Sequence, residues 1–191
     1  MMRIILVGIL VVMTAAVGWI TFDWYRGQHM SRTFGEPFVL VDHNGDEITE
    51  AAFRGHPSAV FFGFTYCPDV CPTTLFELDG WLNELGPEGE NIRAYFVSVD
   101  PERDSPEVLG RYIANVTDKV TGITGEAEDV AQMARSFGIY VRKVDLENGD
   151  YTIDHTASIL MIDSTGDFAG TIAYGENPDN AMAKLRRLAG S

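Results

Sequence analysis

The longest apolar stretch of the chain is Ile4 to Phe22, which carries no charge and has hydroxyls only at Thr14 and Thr21. At about 1.5 Å per helical residue, such a run matches a hydrocarbon core of about 30 Å. Arg3 precedes it and Asp23 follows, so the positive-inside tendency leaves the N-terminus cytoplasmic and the remainder outside. Ala15 to Gly18 offers the small residues of a cleavage site, yet the run continues through Trp19, Ile20 and Phe22. A signal-peptide core usually ends after about 7–15 residues. The pattern therefore predicts a retained single-pass anchor, with residues 1–30 as anchor and linker and residues 31–191 as one exported domain.

Beyond the linker the apolar runs shorten. Phe38 to Val41, Asn44-Gly45 and Ile48 predict a hairpin with a type I′ turn. Ser58 to Phe64 is nearly continuous and apolar, the pattern of a buried central strand. Leu75, Leu78, Leu82 and Leu85 then recur at helical spacing until Gly86-Pro87. Ile92 to Val99 is a second buried strand. Ser105-Pro106 reads as a cap and first helical residue, ahead of a face made by Val108, Leu109, Tyr112 and Ile113. Val130, Met133, Ala134 and Phe137 predict a third helix. Ala157 to Ile162 and Phe168 to Tyr174 predict two strands joined through Ser164-Thr165-Gly166. Asn177-Pro178 opens a last helix, whose closing turns hold Lys184, Arg186 and Arg187 where the helix dipole favours cations. The order predicts an α/β domain: a central mixed sheet flanked by helices, with an N-terminal hairpin.

Charge narrows the partners. Asp and Glu number 28 against 14 Lys and Arg, a formal net charge of -14. That balance removes the usual route to nucleic acid, in which basic side chains neutralise phosphates. It also repels anionic lipid, so membrane attachment rests on the apolar run alone. With 46% hydrophobic and 22% charged residues, the composition is globular rather than disordered.

Candidate chemistry centres on the only two cysteines, Cys67 and Cys71. Two cysteines exclude a multi-disulfide scaffold and a four-cysteine zinc or iron–sulfur site. In an exported domain two nearby thiols pair unless something reduces them. They lie in Cys67-Pro68-Asp69-Val70-Cys71-Pro72, where a predicted strand meets a predicted helix, which is the thioredoxin-like arrangement. A helix N-terminus stabilises thiolates. Three intervening residues depart from the two of disulfide-exchange motifs, and a bridge closing so short a loop removes little chain entropy. Two thiolates suit Cu(I) or Zn(II), and Cu(II) once a nitrogen ligand joins them.

Among the histidines, His29 lies by the membrane segment, His43 in the hairpin turn and His56 before Pro57. All three read as solvated loop residues. His155 differs, because in a thioredoxin-like fold the loop entering the following strand faces the cysteine loop. Asp69 and Asp154 read as solvated carboxylates, or as groups that tune a metal site from behind its ligands. Asp100 and Asp104 would meet a partner, or Asp104 would cap the next helix. The seven methionines are dispersed, which disfavours a methionine-type copper site.

The segment Phe62-Gly63-Phe64-Thr65-Tyr66-Cys67-Pro68-Asp69-Val70-Cys71-Pro72-Thr73-Thr74 resembles the Sco/SenC family. Val97 to Asp104 and Val144 through Asp154-His155-Thr156 are similar to later segments of that family, and the likeness spans about residues 34–190. The resemblance implies a thioredoxin-like fold and copper held by Cys67, Cys71 and His155, as Cu(I) and Cu(II). It implies delivery of that copper to the dinuclear copper centre of cytochrome c oxidase. The expected partners are then the copper-receiving oxidase subunit, a copper donor and an external thiol reductant. The expected location is the inner (cytoplasmic) membrane, with the domain on the periplasmic side, or the intermembrane space in a mitochondrion. Such a carrier is not an enzyme. The alternatives are a thiol–disulfide oxidoreductase using Cys67 and Cys71 on an exported target, and a copper or redox sensor.

Overall fold

The apolar run Ser58–Gly63, buried at every position, lies inside a seven-stranded mixed sheet. The computed structural model describes residues 13–21, 34–147 and 149–191. The chain divides into two compact units, Met1–Arg32 and Thr33–Ser191. In the first, residues 13–21 are helical. The rest of the expected Ile4–Phe22 anchor lies outside the described residues, as does His29. Among the described residues no helix is long and apolar enough to cross a membrane.

In the second unit the strands are β1 (Val39–Asp42), β2 (Glu47–Thr49), β3 (Ser58–Gly63), β4 (Arg93–Ser98), β5 (Val120–Thr124), β6 (Val141–Asp145), β7 (Tyr151–His155), β8 (Ser158–Ile162) and β9 (Phe168–Ala173). The helices are α1 (Val70–Leu85), α2 (Pro87–Glu90), α3 (Pro106–Ala114), α4 (Ala127–Ser136) and α5 (Pro178–Ala189). The large sheet runs β2-β1-β5-β4-β3-β8-β9. Its centre, β3 with β4 and β4 with β5, is parallel, and parallel neighbours require the helical crossovers that α1 and α3 supply. The outer pairs are antiparallel.

The predicted first hairpin exists, but its turn is not type I′. That turn needs positive φ at both central residues, whereas Gly45 has φ 90° and, among the described residues, no non-glycine has positive φ. Instead the Asp42 carboxylate accepts the Asn44 and Asp46 amides at 2.8 and 3.0 Å. His43 is not merely solvated, because its Nδ1 accepts the Gly122 amide at 3.0 Å.

β5, β6 and β7 go beyond the predicted order. Gly122 lies inside β5, and a Cβ there would meet Leu109 and Ile113 at 2.7–2.8 Å. The glycine therefore lets α3 lie directly on the sheet. β6 and β7 form a separate two-stranded sheet that is largely exposed, with Ile153 buried.

Candidate metal centre

β3 delivers the cysteine loop to the start of α1. The helix begins at Val70 after Asp69, which makes no side-chain capping bond. Its open N-terminus is served instead by sulfur, since the Cys71 amide donates to Cys67 Sγ at 3.4 Å. Cys67 is partly buried, Cys71 is fully buried, and both are free thiols.

The two sulfurs titrate in opposite directions. A hydrogen bond from the Cys71 thiol, against the opposing effect of burial, pulls Cys67 from 9.0 down to about 4, with further help from His155 and the Cys71 and Asp69 backbone. The same contact with Cys67, together with burial, pushes Cys71 far up. The reduced pair thus holds one proton, on the inner sulfur. A metal that binds both must displace it.

Cys71 Sγ occupies the space above Gly63. A Cβ there would stand 2.9 Å from that sulfur and 2.5 Å from the Phe96 ring. Glycine at 63 is therefore part of the site, a role that hydrophobic patterning does not disclose.

His155 stands at the end of β7 rather than in a loop. Its Nε2 lies 3.7 Å from Cys71 Sγ, and its Nδ1 lies 3.0 Å from the Thr156 carbonyl. A carbonyl only accepts, so Nδ1 carries a proton, and Nε2 is the nitrogen that faces the sulfurs. Phe61 and Phe64 meet the ring edge-on at 6.2 and 5.8 Å. The structure thus brings Cys67, Cys71 and His155 to one place. Among the described residues no group of three or more His, Cys, Asp or Glu is already drawn in to metal-binding spacing. The donor set of two thiolates and one imidazole fits a copper ion once the shared proton leaves.

The other candidates lie elsewhere. His56 and Asp69 are exposed, and Asp154 is paired on the surface with Arg142. Asp100 and Asp104 are buried, at 3% and 0% exposure, so neither offers a surface to a partner. Nor does Asp104 cap α3, because Ser105 does so through the Val108 amide. Asp104 accepts instead from Thr65 Oγ1 at 2.6 Å, the Thr65 amide at 3.0 Å and Ser98 Oγ at 2.6 Å. It fastens the cysteine loop to the end of β4.

The SCO1/SenC family model matches residues 26–190. The chain belongs to the SCO1/SenC family. It is similar to a SCO2-like protein of Rickettsia prowazekii, with 38% identity over 134 residues, 69% of this chain and 65% of that protein. It spans about half of the yeast mitochondrial relative SCO2, at 53% of its length and 33% identity. Among solved structures it is similar to Bradyrhizobium japonicum ScoI with copper bound, at TM-score 0.75 and 39% identity, covering 81% of this chain and 99% of that one. A mixed α/β, thioredoxin-like Sco fold is thereby shown. BsSco shares that fold at TM-score 0.66 and 23% identity, covering 84% of this chain and 95% of that one. It is described as having a disulfide switch and as a member of the Sco family of cytochrome c oxidase assembly proteins.

Proposed function

We propose that this chain is a membrane-anchored copper carrier for cytochrome c oxidase assembly, with Cys67, Cys71 and His155 as its metal ligands. The observation that carries the reading is the meeting of a histidine with a cysteine 84 residues away, Nε2 to Sγ 3.7 Å. A plain thiol reductase needs both sulfurs but needs no imidazole as a metal ligand. Copper is the metal bound to the similar Bradyrhizobium protein, and two thiolates with one imidazole suit both its oxidation states. A site of three ligands at the protein surface can pass its metal on by ligand exchange, with the dinuclear copper centre of the oxidase as recipient. Residues 1–30 hold residues 31–191 on the periplasmic side of the inner membrane, or in the intermembrane space.

The test is copper binding by the reduced full chain in detergent. One copper ion per chain is expected, and either Cys67→Ser or Cys71→Ser abolishes tight Cu(I) binding. His155→Ala lowers Cu(II) affinity more than Cu(I) affinity, because Cu(I) persists on two thiolates. Undiminished Cu(II) affinity in that variant refutes the ligand set. A second reading, disulfide exchange, is favoured by the low-titrating Cys67 beside a protonated Cys71. It predicts that His155→Ala keeps full function.

A further inference from the structure

We infer that Arg103 is a positioning residue, a clasp that sets where His155 stands relative to the two sulfurs. The inference rests on the ligand assignment above.

An isolated two-stranded hairpin is marginal in water, and β6–β7 makes no ladder with the large sheet. A groove of about 330 Å³, lined by Val130, Ala134, Ile139 and Ile153 among others, lies between the hairpin and α4. The hairpin's place must therefore be set by a few side chains. Tyr151, Ile153 and His155 alternate along β7 and so share one face. Ile153 is buried in the core, and His155 reaches the sulfurs at one end. At the other end Tyr151 lies against Arg103, with the guanidinium carbon 3.7 Å from the ring centroid.

Arg103 grips from both sides. Its Nη1 donates to the Tyr151 carbonyl at 3.1 Å and to Asp150 at 3.3 Å, both in the hairpin. Its Nε donates to the buried carboxylate of Asp100, which also accepts the Tyr151 hydroxyl at 2.8 Å. On its far side the guanidinium lies 4.5 Å from the ring centroid of Tyr66, the neighbour of Cys67. Asp104, next in the chain, holds Thr65 in that same loop. The segment Asp100 to Asp104 after β4 thus binds the loop that carries the thiols and the hairpin that carries the imidazole. With Ile153 as the fixed point, release at Tyr151 moves His155.

Two measurements on the full chain in detergent test this. First, Cu(I) and Cu(II) are titrated into Arg103→Met, His155→Ala and the double variant. A positioning role leaves Cu(I) affinity within about threefold and lowers Cu(II) affinity at least about tenfold, the range of outer-sphere substitutions. In the His155→Ala background Arg103→Met then adds nothing, because it acts only through the imidazole. Equal loss of both ions, or losses that multiply, overturns the clasp. Arg103→Met paired with Asp100→Asn removes the orphaned buried carboxylate and serves where the single variant does not fold. Arg103→Lys keeps the charge but not the fork, and is expected to rescue Cu(II) only in part. Second, hydrogen exchange is read on the β6 and β7 amides without metal. Exchange about tenfold faster in Arg103→Met is expected, and unchanged exchange overturns the clasp. That reading needs no copper, so it decides the clasp even where His155→Ala spares Cu(II) binding and the ligand assignment fails.

Discussion

At the scale of single residues, the two sulfurs differ far more than their spacing discloses. Cys67 is partly exposed and pulled down to about 4 by its inner neighbour, while Cys71 is buried and pushed up. Labelling of the reduced chain with iodoacetamide is expected to modify Cys67 first, at a rate nearly flat between about pH 6 and 8, because the thiolate is the reactive form. Peptide mapping by mass spectrometry reads the order, and equal labelling of both cysteines contradicts the geometry. Gly63 is a second test at this scale. A methyl group there collides with Cys71 Sγ and Phe96, so Gly63→Ala is expected to cost about 1–3 kcal/mol in chemical denaturation, the usual penalty of overpacking. The cysteines and His155 were legible in the sequence because their chemistry is rare and their motif is distinctive. Gly63, Arg103 and Asp104 were not, since their work lies in what packs against them from distant segments.

At the scale of elements, the strong patterns translated directly. β3 and β4, buried throughout apart from Arg93, were readable as apolar runs, and α3 and α5 were readable from Ser105-Pro106 and Asn177-Pro178. The elements that escaped are those whose pattern is interrupted or exposed. β5 carries a glycine that accommodates α3, and β6 and β7 are exposed or half-buried at every position but Ile153. One turn, used twice, was also hidden. Asp42 and Asp163 each open a loop that ends in Gly-Asp, and each carboxylate accepts the amide four residues on at 3.0 Å. Burial opposes ionisation at both sites, yet these hydrogen bonds outweigh it and hold both carboxyls below the ordinary aspartate range. A depressed folded pKa contributes stability that is present above the unfolded value and lost as pH falls through the folded one. Acid unfolding is therefore expected to steepen below about pH 4, and Asp42→Asn with Asp163→Asn is expected to flatten it. Asp104 has the opposite sign, because burial raises it despite three donors. Its ionised form is favoured by the fold less than by the open chain, and that part of the stability is lost as pH rises through its folded value. Asp104→Ala is expected to cost about 1–3 kcal/mol, through the unpaired Ser98 and Thr65 groups.

At the scale of the whole molecule, the mixed sheet, the thiol loop and the second small sheet have one product: they bring side chains from the beginning and the end of the domain to one spot near its surface. Family membership is shown for residues 26–190, and the copper-bound Bradyrhizobium relative supports the cargo. A carrier of the proposed kind would work by proximity. On the proposed reading, an anchor at Ile4–Phe22 would keep the domain beside a membrane-bound client and raise its effective concentration by the logic of tethering. On the same reading, the net charge of -14 would steer it toward a basic patch, an attraction that salt would weaken. Deleting the gene is then expected to lower cytochrome c oxidase activity, most severely at limiting copper, with added copper restoring part of it. Residues 31–191 exported without the anchor should rescue poorly at limiting copper and better when overproduced, because concentration replaces tethering. The decisive complement is His155→Ala. A copper carrier without its imidazole fails to restore the oxidase at limiting copper, whereas a thiol reductase keeps both sulfurs and restores it. Oxidase activity measured in those strains across a copper series separates the two, and full rescue by His155→Ala at the lowest copper would assign the chain to disulfide exchange.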